Sequence, residues 1–179
     1  MLAKKRIAVD QDNVIADLVV EWVRRYNNDY NDTLTPEEIN AWNWCHITKP
    51  ECNKKIYDYM DDPELFANLP VIKDSQDVLQ ELNNTYDIYV VTSPFNINNV
   101  VPKHNWLLKH FPFLAPDKFV FTRDKSIIAA EYLIDDKPAN LESFSGNKIL
   151  FDAPHNRDED RFYRVNNWLE VKDILLDWK

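Results

Sequence analysis

Short apolar runs alternate along this chain with segments in which apolar residues recur every three or four positions. Runs of this kind, rich in β-branched residues, are typical of buried strands. The periodic segments are typical of helices that pack one face on a core. The predicted strands cover residues 7–9, 88–93, 118–121, 132–136 and 148–152.

The predicted helices fall between these strands and, in one long segment, replace them. The sequence from Thr35 to Glu38 fits a capping box with proline at the first helical position, and predicts a short helix that carries Ile39 and Trp42. The other predicted helices cover residues 17–30, 50–60, 62–66, 74–82, 99–111 and 168–178.

Alternating strands and helices predict an α/β fold of Rossmann-like type, with a parallel sheet and helices on both faces. Residues 18–72 interrupt this alternation directly after the first strand, because they contain short helices and no convincing strand. We therefore expect an α/β core formed by residues 1–17 and 73–179, and a small all-helical cap formed by residues 18–72.

Composition limits the classes of partner. The 179 residues carry a net charge of −9, so no basic surface for a nucleic-acid polymer is expected. No stretch is long and apolar enough to span a membrane, and we predict no membrane partner. Cys45 and Cys52 lack zinc-site spacing and indicate reduced thiols in a cytoplasmic protein. Gly146 is the single glycine, which excludes a glycine-rich phosphate loop.

The first strand ends in two carboxylates, Asp10 and Asp12. Open α/β sheets bind ligands at the carboxyl ends of their strands. Two ionised carboxylates that leave an apolar strand repel each other, and a hard cation such as Mg²⁺ would relieve that repulsion. The alternative is a surface turn in which Asp12 or Asp17 only caps the next helix.

Other predicted strands also end in polar residues. Thr92 and Ser93 end the second strand, Asp135 and Asp136 end the fourth, and Lys125 lies on the loop between the third and fourth. In a parallel sheet these ends meet at one edge. Acids, hydroxyls and a cation without a histidine or cysteine nucleophile suit phosphoryl transfer through a carboxylate, with Mg²⁺ and lysine neutralising the phosphate oxygens.

The sequence resembles the haloacid dehalogenase-like (HAD) phosphohydrolases and, among them, the 5′(3′)-deoxyribonucleotidases. The similarity extends over nearly the whole chain. The residues that carry it are Asp10–Asp17, Val90–Pro94, Thr122–Lys125 and Leu133–Pro138, with support from Phe66–Val71 and Phe151–Asn156.

The resemblance implies a Mg²⁺-dependent phosphatase that hydrolyses (deoxy)nucleoside monophosphates to nucleoside and phosphate. Asp10 would be the nucleophile that forms a phosphoaspartate and also a metal ligand. Asp12 would be the general acid for the leaving nucleoside and then the base for water, and its main-chain carbonyl would bind Mg²⁺. The resemblance also suggests a homodimer.

The remaining roles follow from the same resemblance. Thr92 and Ser93 would hold phosphate oxygens, and Lys125 would secure both the nucleophile and the phosphate. Asp136 would be the direct metal ligand of the second acidic pair, with Asp135 beside it as a supporting or alternate ligand.

Two positions depart from the family pattern. Asn13 stands where family members usually have glycine, and asparagine also tolerates the left-handed backbone. Leu18 stands where some relatives place an aromatic ring against the base, which puts the base preference in doubt. Trp42, Asn43 and Trp44 are the alternative wall of a base pocket; equally, the two tryptophans would fill the core of a small cap.

Two other functions remain open at this point. One is the same chemistry on another small phosphomonoester, such as a sugar phosphate. The other is a metal- or nucleotide-binding module without turnover. The sequence does not determine the preferred base, the 5′ or 3′ position of the phosphate, the choice between deoxyribose and ribose, or the pathway.

Overall fold

A six-stranded, fully parallel sheet forms the centre of the protein, in a computed structural model that describes residues 3–177. The strand order is β3-β2-β1-β4-β5-β6, which places β1 between β2 and β4. The strands are β1 (Arg6–Val9), β2 (Asp87–Thr92), β3 (Phe119–Phe121), β4 (Tyr132–Asp135), β5 (Asn147–Phe151) and β6 (Tyr163–Val165). The five predicted strands are confirmed, and β6 at the edge was not predicted.

The register of the three central strands brings their carboxyl ends together. Val9 pairs with Val90 on one side and with Ile134 on the other. The amide of Asp10 then donates a hydrogen bond of 2.9 Å to the carbonyl of Ile134. The residues that follow β1, β2 and β4 therefore lie at one edge of the sheet, as parallel pairing requires.

In the described part of the chain, six α-helices connect and cover the strands. They are α1 (Leu18–Tyr30), α2 (Pro63–Ala67), α3 (Ser75–Thr85), α4 (Val100–His110), α5 (Pro138–Ser143) and α6 (Trp168–Lys172). The carboxylate of Asp17 caps α1 by accepting a hydrogen bond of 3.1 Å from the amide of Val20. The predicted positions of α1, α2, α3 and α4 are confirmed, whereas α5 was not predicted.

Three predicted helices differ from the structure. The capping box at Thr35 is present, but it starts only a 3₁₀ turn over Pro36–Glu38, and the chain leaves helical geometry at Ile39, so Trp42 lies in no helix. The segment predicted as a helix over residues 50–60 is a 3₁₀ helix, Asn53–Asp61. The last helix continues from α6 as a π-helix, Asp173–Asp177, and the predicted end at residue 178 lies outside the described residues.

Successive side chains of each strand point to opposite faces of the sheet, and an apolar core lies on each face. On one face Ala8, Val91, Leu133 and Leu150 pack with α5. On the opposite face lies a larger cluster that the other helices cover. This cluster is continuous across the segment between β1 and β2, because Trp22 and Ile56 belong to it together with strand residues such as Val90. The indole of Trp22 also donates a hydrogen bond of 2.8 Å to the carbonyl of Ile56.

Within residues 3–177, no helix is of the length and apolar character that crossing a membrane requires. Both cysteines are free thiols.

Candidate active site

Three buried carboxylates meet at the carboxyl edge of the sheet. Asp10 follows β1, Asp135 ends β4 and Asp136 comes directly after it; one oxygen from each lies within 4.8 Å of the others. Their side chains are at most 9% exposed. Buried carboxylate oxygens at this spacing are ligands that hard divalent cations prefer. This donor set fits the metal that the sequence predicts.

Lys125 joins two of the three acids. Its ammonium lies 2.5 Å from Oδ1 of Asp10 and 2.6 Å from Oδ2 of Asp135, and its side chain is fully buried. The 3₁₀ turn Lys125–Ile127 between β3 and β4 delivers it, as predicted. Asp124 caps this turn by accepting a hydrogen bond of 3.0 Å from the amide of Ser126.

Burial and neighbouring charges both shift the pKa values of these groups. It raises the pKa of Asp10 well above its usual range, against the lowering effect of Lys125, and it raises the pKa of Asp135. Burial alone would lower the pKa of Lys125, but the neighbouring carboxylates outweigh it and the net shift is upward. A further positive charge close to these acids would therefore stabilise their ionised forms.

The two acids of the second pair are held differently. Both oxygens of Asp135 are occupied, by Lys125, by the amide of Lys137 at 2.9 Å and by the amide group of Asn140 at 3.1 Å. Asp136 uses Oδ2 for hydrogen bonds, which leaves Oδ1 for a ligand. This geometry supports Asp136 as the direct ligand and Asp135 as the acid that holds Lys125.

Asn13 connects the first acidic motif to the second. Its backbone is left-handed, with φ of 58°, in the loop where the family usually has glycine. Its amide nitrogen lies 3.0 Å from Oδ2 of Asp136, and its amide oxygen accepts a hydrogen bond of 3.1 Å from the amide of Val19. The asparagine thus supplies the turn that glycine would supply and adds two contacts that glycine lacks.

His155 and Asn156 explain the histidine–asparagine stretch near the end of the chain. Nε2 of His155 lies 2.8 Å from Oδ2 of Asp136. The side-chain amide of Asn156 donates hydrogen bonds to the carbonyls of Asp136, at 2.7 Å, and Phe151, at 2.9 Å. Both residues therefore fix the position of Asp136.

The side chain of Asp12 lies apart from the three clustered acids. Both of its oxygens contact the ammonium of Lys103, at 2.5 and 2.6 Å, and Lys103 lies in the first turn of α4. Thr92 is fully buried, and its hydroxyl lies 3.2 Å from the same ammonium. Ser93 donates a hydrogen bond of 3.0 Å to the carbonyl of Thr122 and lines the cavity described next.

A cavity of about 300 Å³ opens above the acids. Asp10, Asp12 and Asp136 line it. Most of its other lining residues are apolar or aromatic, and include Leu18, Trp22, Trp42, Trp44, Tyr57 and Phe95. Its size and its mixed lining suit a small molecule that carries a flat ring and a polar group.

Trp42 and Trp44 differ in burial, and both line the cavity. Trp44 is buried against Trp22, with ring centroids 3.7 Å apart, and it also lines the cavity. Trp42 is 49% exposed and packs on the ring of His155. Asn43 does not line the cavity; its side chain bonds His46 and the hydroxyl of Tyr57.

Lys103 and His155 were not among the predicted site residues. A signal for Lys103 exists in the sequence: it shares a helical face with Asn99, Trp106 and Leu107, all buried. A lysine inside an otherwise buried stripe needs a partner of opposite charge.

Solved structures of other proteins have a similar fold. A HAD hydrolase from Bacillus subtilis, solved with bound magnesium, superposes with a TM-score of 0.61 at 16% identity, covering 97% of this chain and 99% of that one. This likeness shows that the chain has the fold of a HAD hydrolase. Residues 4–179 match the family described as 5′ nucleotidase, deoxy (pyrimidine), cytosolic type C protein. The chain belongs to this family and is a phosphoric monoester hydrolase of the nucleotidase type.

Curated relatives agree over their full length. A 5′(3′)-deoxyribonucleotidase from Bacillus subtilis is 46% identical over 175 residues, covering 97% of this chain and 99% of the relative. Another from Clostridium acetobutylicum is 41% identical over 176 residues, covering 98% and 97%. The resemblance inferred from the motifs is thereby confirmed.

Proposed function

We propose that this protein is a Mg²⁺-dependent 5′(3′)-deoxyribonucleotidase that transfers the phosphoryl group of a deoxynucleoside monophosphate to Asp10 and then to water. The observation that carries the proposal is the position of Asp10. Its carboxylate lies at the acidic end of a partly aromatic cavity, with Lys125 on one oxygen and Asp136 nearby.

In the first step, a carboxylate oxygen of Asp10 forms a bond to phosphorus, and the bond from phosphorus to the nucleoside oxygen breaks. The proton that the leaving oxygen needs comes from Asp12, which reaches the same cavity. In the second step, water attacks the phosphorus of the aspartyl phosphate, Asp12 accepts the proton of that water, and phosphate leaves with Asp10 restored.

The groups around Asp10 would neutralise the negative charge of the phosphate oxygens. Lys125 holds one oxygen of the nucleophile, and we assign it to the phosphate oxygens together with the hydroxyls of Ser93, which lines the cavity, and Thr92, which is buried beside Lys103. Asp10, Asp136 and the main-chain carbonyl of Asp12 would hold Mg²⁺, with Asp135 supporting them. When bound, the metal supplies positive charge to the phosphate oxygens.

The aromatic walls favour a nucleotide over a smaller phosphomonoester. We propose that Leu18, Trp42 and Trp44 contact the base, with Asn43 acting through Tyr57, whose hydroxyl it bonds at 3.2 Å. In this arrangement residues 18–72 serve as a cap over a core of residues 1–17 and 73–179. A sugar phosphate is the alternative substrate, since it needs the same acids but no aromatic wall.

The test is phosphate release from dUMP and dTMP with Mg²⁺ by wild type and by Asp10→Asn, which keeps the shape of the side chain and removes the nucleophile. We expect a loss of at least about a thousandfold in kcat. Equal rates in the two proteins would refute the proposal. A panel with ribose 5-phosphate distinguishes the two substrate classes, because a nucleotidase requires the base.

Two further expectations concern the setting of the enzyme. We infer a cytoplasmic location from the two free thiols, and a homodimer from the resemblance to the family. Light scattering on the purified protein measures the mass of the particle and tests the second inference.

A further inference from the structure

Lys103 is the one lysine that projects from α4 into the interior. It is fully buried, whereas Lys109 on the same helix is exposed. An ammonium group has three N–H donors and no acceptor. The two oxygens of Asp12, at 2.5 and 2.6 Å, and the hydroxyl of Thr92, at 3.2 Å, account for all three.

An aromatic ring also lies against this ammonium, since the ring of Phe66 is 4.6 Å from the nitrogen. The side-chain amide of Gln11 donates a hydrogen bond of 3.5 Å to the main-chain carbonyl of Lys103, which connects the acidic loop to α4. A buried ammonium is stable only where its donors are satisfied, so its position and that of Asp12 determine each other.

We propose that Lys103 is a positioning residue for the reaction: it holds the carboxylate of Asp12 beside the buried hydroxyl of Thr92, so that Asp12 meets first the leaving oxygen and then the attacking water. This inference rests on the proposed function, since it assigns Lys103 to the acid–base steps of that mechanism.

Two substrates with different leaving groups distinguish the first chemical step from the second. A nucleoside leaving group needs a proton from Asp12 in the first step. The p-nitrophenolate leaving group of p-nitrophenyl phosphate departs without one, so its first step needs Asp10 but not an aligned Asp12. Both substrates share the second step, in which Asp12 takes a proton from water.

The experiment compares wild type, Lys103→Met and Lys109→Met, which removes the same charge from the exposed face of the same helix. For Lys103→Met we expect kcat/KM for dUMP to fall about a hundredfold, the usual size of an acid–base contribution. With p-nitrophenyl phosphate we expect a rapid burst of one p-nitrophenolate per enzyme, followed by slow turnover and an acid-stable phosphoenzyme. Lys109→Met should match wild type.

A merely structural role would give a different result. If Lys103→Met slowed the burst as much as it slows dUMP turnover, or left dUMP turnover unchanged, the proposal would be overturned. Lys103→Arg keeps the charge and should recover part of the dUMP activity.

A second comparison does not depend on the folding of the single variant Lys103→Met. It compares Asp12→Asn with the double variant that combines Asp12→Asn and Lys103→Met. The double variant lacks both charges, so no buried charge is left unpaired. If Lys103 acts through Asp12, both have the same residual activity with p-nitrophenyl phosphate. A further loss in the double variant contradicts the proposal. Failure of the wild type to release phosphate or to label Asp10 would refute the proposed function instead.

Discussion

At the scale of single residues, the site is a balance between four acids and two buried lysines. Lys125 contacts Asp10 and Asp135, and Lys103 contacts Asp12. With all four acids ionised, two negative charges are left over, which equals the charge of one divalent cation. A divalent cation bound at these acids would neutralise that excess, in agreement with the metal site that we propose.

The contact between His155 and Asp136 provides a test of the proposed metal site. His155 contacts Oδ2 of Asp136, so the His155→Ala variant removes one of the two contacts that hold this oxygen and leaves that of Asn13. We expect Mg²⁺ affinity to weaken about tenfold to a hundredfold, as for other groups that orient a metal ligand. Isothermal titration calorimetry measures the affinity directly. His46→Ala, at an exposed position, is the control; unchanged affinity in His155→Ala would contradict the assigned role.

The acidic and hydroxyl residues of the site were predictable because they lie at the ends of apolar strands. The change from apolar to polar at the ends of β1, β2 and β4 is abrupt, and parallel pairing then brings these residues together. Lys103 lies at no strand end, and its one local signal is its place on a buried helical face. Its role depends on how α4 packs against the acidic loop, and that tertiary contact cannot be derived from local pattern.

At the scale of elements, the strongly apolar strands and the longer helices were predictable, and the short polar ones were not. β6 has three residues, lies at the edge of the sheet and exposes Tyr163, so it lacks the apolar run of a buried strand. The segment Asn53–Asp61 has apolar residues at helical spacing, but their spacing does not distinguish an α-helix from a 3₁₀ helix over so few turns.

One element-level network connects α1 to the turns that follow it. Tyr26 on α1 is fully buried; its hydroxyl donates a hydrogen bond of 2.5 Å to Asp32 and accepts one of 2.8 Å from the amide of Lys49. Burial, together with the contact to Asp32, raises the pKa of Tyr26 from 10.0 to about 12.

This shift has a defined effect on stability. Above about pH 10 the unfolded chain loses the phenolic proton while the folded protein keeps it, so the contribution of Tyr26 is complete below pH 10 and is lost as the pH rises to about 12. Tyr26→Phe should be less stable than wild type by about 1–2 kcal/mol near pH 8.

Urea denaturation at a series of pH values measures that difference. We expect the gap between wild type and Tyr26→Phe to narrow above pH 10. Tyr163→Phe, at a residue that is 57% exposed, is the control for the general effect of alkaline pH. A gap that stays constant up to pH 12 would show that Tyr26 does not titrate in this way.

At the scale of the whole molecule, the sequence predicted two units and the structure adds how they are joined. Apolar side chains between β1 and β2 belong to the same cluster as those of the sheet. The indole of Trp106 on α4 also donates a hydrogen bond of 2.8 Å to the carbonyl of Leu69. The boundary near residues 17 and 73 is thus a boundary in the pattern of elements, while the core is shared.

That shared core has a consequence for how a ligand enters. Moving residues 18–72 away as a rigid body would break the hydrogen bond from Trp106 to Leu69 and expose the buried ring of Phe66, which lies against Lys103, at a cost of about 1.5–3 kcal/mol for that side chain. Admission by local motion of the half-exposed Trp42 avoids this cost. Small-angle X-ray scattering should then give the same radius of gyration with and without Mg²⁺ and nucleotide, whereas contraction on binding would reveal a hinge.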